Sequence, residues 1–204
     1  MIRIIDYGLG NVSAFLTLYK RLGIQAAAAK SASMLDDATH LILPGVGAFD
    51  HAVELLDASG MRPTLESLVK EKKLPILGIC VGMQILATSS EEGTKPGLDW
   101  IPGQVRSFRN TPGSSHLPMP HMGWNDVTPS PNSALFAGSD SLPRFYFLHS
   151  YYFDCDNAAH IAATADYGAP FVCAVSVDNI HGVQCHPEKS HRYGLGLLKA
   201  FSEI

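Results

Sequence analysis

The residues best suited to chemistry are Cys80, His186 and Glu188. Cys80 sits in Gly78-Ile79-Cys80-Val81-Gly82, between an apolar run over residues 74–79 and a helical pattern over residues 81–87. This G-x-C-x-G context fits a nucleophile elbow. There the nucleophile occupies a strained strand-to-helix turn, and the glycines let strand and helix approach closely. A cysteine at a helix N-terminus faces unpaired N–H groups and the positive end of the macrodipole, which favour the thiolate. The N–H of Val81 is then placed to donate to an oxyanion. A thiolate nucleophile needs a proton shuttle, and His186 suits that task near neutral pH. Residues two apart in an extended segment point the same way, so Glu188 can orient His186, with Pro187 stiffening the pair. Taken alone, the elbow is also compatible with a plain buried cysteine, and His186-Pro187-Glu188 with a surface turn. Together they read as a nucleophile, base and orienting acid.

Further features surround this set. Leu43-Pro44-Gly45-Val46-Gly47 follows an apolar strand pattern, at the edge where open α/β sheets bind ligands, and its backbone N–H groups can complete an oxyanion hole. Gly8-Leu9-Gly10 lacks the third glycine of a dinucleotide fingerprint and reads as a turn. His181, Cys185, His186 and His191 match no standard zinc spacing, and Cys185 is expected to point into the core, so no metal is expected. Met119-Pro120-His121-Met122-Gly123-Trp124-Asn125 is apolar yet loop-like, which suggests a docking surface or a loop folded onto its own core.

The elements that must position these groups alternate. Apolar strand patterns over residues 2–6, 25–29, 41–43 and 74–79 are separated by helical patterns over residues 12–22, 52–59 and 64–72. Strands apolar on both faces imply a parallel sheet covered by helices. The second half has short strand patterns over residues 100–110, 145–152, 161–165, 171–177 and 180–184, with Asp178-Asn179 as a hairpin turn. Residues 110–120 read as a mobile loop and 195–201 as a closing helix. The expected fold is α/β: an open, mostly parallel sheet flanked by helices, with a smaller antiparallel extension, in one domain over residues 1–204.

Composition narrows the function class. The chain has 204 residues, 46% hydrophobic and 17% charged, an ordinary globular balance. A net charge of −4 argues against nucleic-acid binding. No apolar stretch reaches the length of a membrane span, and no signal peptide is recognisable. Four cysteines without a C-x-x-C pair point to a reducing cytoplasm.

The motifs taken together resemble the class I (triad) glutamine amidotransferases. Gly78-Ile79-Cys80-Val81-Gly82-Met83-Gln84 and His186-Pro187-Glu188 are that family's two signatures, in the expected order and separation. More narrowly, the chain resembles the glutaminase subunits of imidazole glycerol phosphate synthases. That group's motifs appear as Asp6-Tyr7-Gly8-Leu9-Gly10-Asn11, Leu43–Gly47, Ser89-Ser90-Glu91-Glu92-Gly93, His121–Asn125, His149-Ser150-Tyr151-Tyr152 and His186-Pro187-Glu188-Lys189-Ser190.

The resemblance implies that Cys80 attacks the side-chain amide of L-glutamine, that His186 held by Glu188 protonates departing ammonia, and that water hydrolyses a glutamyl thioester. It implies that Gly45 and Gly47 lie beside the reacting carbonyl, and that Gln84, His149, Ser150 and Tyr151 belong to the substrate site. No cofactor is implied. A (β/α)₈-barrel cyclase partner is, forming a heterodimer that receives the ammonia without its entering bulk water. Met122, Trp124 and Asn125 are expected to face the barrel, with Tyr146 and Lys189 beside them. In the family, activity stays low until partner and ligand bind, which a misoriented oxyanion-hole donor in residues 44–47 would explain.

Two departures stand out. Cys185 replaces the usual Phe before the catalytic histidine, and His191-Arg192-Tyr193 resembles paralogues that serve amidation of a surface-polysaccharide sugar. The alternatives are therefore that same glutaminase with a sugar acceptor, a stand-alone cysteine peptidase or γ-glutamyl hydrolase, and a non-enzymatic scaffold.

Overall fold

The computed structural model describes residues 1–131, 133–139 and 142–204. The first half alternates as expected: β1 (Ile2–Ile5), α1 (Val12–Leu22), β2 (Ala26–Ala29), β3 (His40–Gly45), α2 (Phe49–Ala58), α3 (Arg62–Glu66), β4 (Ile76–Cys80) and α4 (Val81–Gln84). The boundaries of α1 follow from its caps. Asn11 accepts the Ala14 N–H, and Gly23, at φ +70°, closes the other end with its N–H on Lys20 and Tyr19 carbonyls. Every residue of β4 is buried, as a strand covered by helices on both faces requires.

The second half comprises β5 (Ser89–Ser90), β6 (Gly103–Ser107), β7 (His121–Asp126), β8 (Thr128–Pro129), β9 (Arg144–His149), β10 (Tyr151–Cys155), β11 (Ile161–Asp166), β12 (Pro170–Val177), β13 (Ile180–Val183) and α5 (His191–Phe201). The main sheet runs β2-β1-β3-β4-β13-β12-β10-β6-β5, with β11 paired to β12 and β8 paired to β11. From β2 to β13 neighbours are parallel; β12 then returns antiparallel through the turn at Asp178-Asn179. A separate hairpin-like pair, β7 with β9, forms a second small sheet.

One register relation organises the site. Cys80 ends β4 opposite Gly45 of β3, and Ile79 lies opposite Val183 of β13. The chain leaving β13 therefore reaches residues 184–186 beside the end of β4. Parallel pairing thus brings together positions more than a hundred residues apart, at the carboxyl edge of the sheet.

Three expectations need correction. The helix after the elbow is one turn long and does not reach Ala87. Its continuation is stopped because the carbonyls of Ile85, Leu86 and Ala87 accept N–H groups of Leu98, Trp100, Ile101 and Asp99 instead. Residues 121–126 form a paired strand, not a loop, with Met122 and Trp124 outward and His121 inward. Residues 110–120 are pinned to the body: Ser114 is fully buried and donates to the Tyr167 carbonyl at 2.6 Å, and the Tyr167 hydroxyl donates to the Pro118 carbonyl.

Close packing at the elbow demands glycine. A Cβ at Gly82 would lie 1.9 Å from the Leu43 carbonyl oxygen, whereas one at Gly196, on the exposed side of α5, would meet nothing within 4 Å. Gly82→Ala is expected to lower stability by about 3 kcal/mol or to block folding. Gly196→Ala should raise stability by about 0.5–1 kcal/mol. Urea midpoints of the two variants check both signs.

Candidate active site

Cys80 adopts φ +55° and ψ −115°, a backbone conformation that side chains other than glycine rarely take, and is 4% exposed. Strain of this kind, where β4 turns into α4, is the hallmark of the elbow. Because α4 is a single turn, the field at the sulfur comes from local N–H groups rather than a long macrodipole.

His186 is hydrogen-bonded to Cys80, and its Nδ1 lies 2.8 Å from Glu188 Oε1. With Nδ1–H donated to the carboxylate, Nε2 is left for the sulfur. The segment is anchored at both ends of its turn. The His186 N–H donates to the Tyr146 carbonyl at 2.8 Å, and the Ser190 hydroxyl donates to the His186 carbonyl at 2.7 Å and accepts the Tyr146 N–H. Burial alone would lower the His186 pKa. Contacts with Cys80 and Glu188 outweigh it and raise the value from 6.5 to about 10.

These three side chains line one cleft of about 410 Å³, a volume suited to a small metabolite. Gly47, Val81, Gln84, His149, Ser150, Tyr151 and Lys189 line it too. Gly45 does not: it packs under the elbow, where a Cβ would fall 2.6 Å from the Gly82 nitrogen. Both nitrogens of His149 are engaged by the protein, one on the Tyr151 carbonyl at 2.7 Å and the other on His121 at 2.9 Å. The Gln84 amide N–H group donates to the Tyr151 carbonyl and to Gln184 Oε1. Cys185 is buried facing away from the cleft lining, and burial pushes its thiol well above the usual range.

Asn11, Val46 and Glu92 line the cleft without having been singled out for it, and Gln184 was missed altogether. Gln184 is fully buried, with its Nε2 3.7 Å from Cys80 Sγ. Its signal was available: it lies two residues before His186, so the same parity argument that paired His186 with Glu188 puts Gln184 on the cleft side and Cys185 on the other.

Outside the cleft mouth, Met122 and Trp124 are 65% and 41% exposed on one face of β7. Tyr146 of β9 stands opposite Trp124, the Lys189 ammonium lies 5.5 Å from the Tyr146 ring, and His191 stacks on Trp124. Asn125 does not join this face. Its amide turns inward, donating to the Asp166 carbonyl at 2.7 Å and to His121.

The His186 shift carries a pH prediction. A folded value raised above the unfolded one contributes stability that is complete below pH about 6.5 and is lost as pH rises toward about 10. Glu188→Gln removes part of that contribution. The stability gap between wild type and Glu188→Gln should narrow between those limits, as read from urea midpoints; a widening gap would contradict the arrangement.

Residues 4–201 match the family profile described as "Glutamine amidotransferase class-I". The chain is 59% identical to the imidazole glycerol phosphate synthase subunit HisH of Bdellovibrio bacteriovorus and 49% identical to that of Leptospira interrogans, each over 100% of both chains. Among solved structures, its fold resembles a glutamine amidotransferase (TM-score 0.75, 18% identity, 98% of each chain). It also resembles PurLQS from Thermotoga maritima (TM-score 0.73, 16% identity, 99% of this chain and 97% of that one). The chain belongs to the class-I glutamine amidotransferases, in the branch of the HisH subunits of imidazole glycerol phosphate synthase.

Proposed function

We propose that residues 1–204 act as one glutaminase unit that hydrolyses L-glutamine and supplies the ammonia to a (β/α)₈-barrel partner, which builds it into imidazole glycerol phosphate in histidine biosynthesis. The observation that carries this reading is the hydrogen-bonded series Cys80–His186–Glu188 in one cleft.

The chemistry follows from the geometry. Cys80 Sγ attacks the side-chain carbonyl carbon of glutamine, and the C=O electrons move to oxygen. The N–H of Val81, with one from residues 44–47, stabilises that oxyanion. The tetrahedral adduct collapses as His186 gives its Nε2 proton to the nitrogen, so ammonia leaves and a glutamyl thioester remains. His186 then takes a proton from water, which attacks the thioester. Collapse expels the sulfur, releasing glutamate and restoring the starting enzyme. Glu188 keeps the ring in its working tautomer throughout. Glu92, half-buried at the cleft wall with Oε2 accepting the Phe49 N–H at 2.9 Å, is a carboxylate available to an amino acid's ammonium.

The partner reading rests on the exposed Met122, Trp124 and Leu148. Leu148 belongs both to this apolar face and to the cleft lining, so a partner seated there would cover the exit of the reaction chamber. Asn125 is left out of that surface by its inward amide. The sugar-amidating alternative draws no support from the Bdellovibrio and Leptospira relatives, both of which are imidazole glycerol phosphate synthase subunits.

Glutamate release is measured for the chain alone and with its barrel partner and the partner's ligand. The expected outcome is slow turnover alone and much faster turnover in the complex, with Cys80→Ser at least about 10³-fold below wild type. Equal rates alone and in complex would rule out the misoriented oxyanion donor, and an active Cys80→Ser would overturn the thioester route. Trp124→Ala should weaken partner affinity by about tenfold or more while leaving the isolated chain's slow turnover in place, read by titration of the barrel.

A further inference from the structure

His149, in the cleft wall, and His121, behind it, form a buried pair that takes no bond-making part in the hydrolysis described above. His121 Nδ1 is 2.9 Å from His149 Nε2, and His149 Nδ1 is 2.7 Å from the Tyr151 carbonyl. A carbonyl oxygen only accepts, so His149 must carry its proton on Nδ1. Its Nε2 is then the acceptor, and His121 must donate from its own Nδ1. His121 Nε2 in turn accepts from the Asn125 amide at 3.3 Å, whose donor group also serves the Asp166 carbonyl. The direction of every bond is fixed by the two carbonyls at the ends.

The chain continues. The Tyr151 carbonyl also accepts the Gln84 amide at 3.1 Å; Gln84 donates to Gln184 Oε1 at 3.0 Å, and Gln184 Nε2 approaches Cys80 Sγ at 3.7 Å. We propose that His121 and His149, both in the Nδ1–H form, are positioning residues. By holding the Tyr151 carbonyl and, through Gln84 and Gln184, the nucleophile's amide partner, they set the shape of the substrate wall from strand β7. This rests on the glutaminase reading above.

Two further observations support the assignment. The rings are immobilised: His121 stacks on Phe147 at 5.2 Å and lies 4.2 Å from Tyr167, and Phe108 and Phe171 close in on both histidines. Burial also lowers the pKa of His149 to about 3 and of His121 to about 4, so both stay neutral, as a one-proton-per-ring chain requires. A charged His149 would stand near the His186 imidazolium, which the arrangement avoids.

Long-range ¹H–¹⁵N spectra of the full-length chain at neutral pH report the tautomer of each histidine directly. Nδ1–H is expected on both His121 and His149, with their Nε2 unprotonated; Nε2–H on either ring would overturn the proposal. In the complex with the barrel, His121→Phe should lower kcat/KM for glutamine by about tenfold, mainly through KM. His121→Asn, which keeps an N–H donor at the Nδ1 position, should recover most of that loss. An unchanged KM in His121→Phe, or no recovery in a folded His121→Asn, contradicts the relay. Cys80→Ser is assayed beside them: if it still releases glutamate, the glutaminase reading fails, while the tautomers test the relay on their own.

Discussion

The backbone at Cys80 is held in a conformation that a side-chain-bearing residue tolerates only at a cost of about 1–3 kcal/mol. Everything around it serves to fix that conformation. Gly78 and Gly82 let α4 fold back on β4: a Cβ at Gly78 would lie 2.5 Å from the Gly82 carbonyl oxygen. Gly45 lets β3 run beneath the turn, and the Tyr7 hydroxyl, donating at 2.7 Å, holds the Pro44 carbonyl at the head of the neighbouring loop. The sulfur emerges from this cage at the sheet edge, within hydrogen-bond reach of the His186 imidazole.

The two halves of the chain divide the work by the kind of pairing they use. Parallel strands from β2 to β13 build a rigid, doubly covered platform and deliver Cys80 and His186 to the same edge. The antiparallel half supplies the walls. Phe108, Phe147, Tyr152, Tyr167 and Phe171 pack edge-to-face and tilted around His121 and His149, and so lock the small β7–β9 sheet against the large one. Because His186 hangs from Tyr146 of β9 by its own N–H, the base is tied to the same small sheet that displays Trp124 to solvent. The ring proposed as the base and the face proposed for docking thus share one support.

Much of this was legible in the sequence where local chemistry dictates structure. Asn11 and Gly23 bound α1 to the residue, and the glycines around Cys80 announce the elbow; Glu188 does meet His186, but through a 3-10 turn over Pro187–Lys189 rather than the parity of an extended segment. Where the outcome depended on distant partners, the reading failed. The helical pattern of residues 81–87 is interrupted by backbone from residues 98–101, which no window around Cys80 contains. Residues 121–126 read as a loop because Gly123 and the preceding prolines mask the alternation that pairing with β9 reveals. The family resemblance set Asn125 beside Trp124 at the expected partner face; alternation along the strand turns its amide to the Asp166 carbonyl and His121 instead.

The most direct measurement is mass spectrometry of the full chain, mixed with the proposed barrel partner and L-glutamine and quenched in acid during turnover. The account predicts a fraction of the protein carrying one added glutamyl group, located by digestion on the peptide that contains Cys80 and absent when glutamine is omitted. Steady glutamate production with the label on another residue, or with no covalent species detectable under conditions where deacylation is slowed, would contradict it.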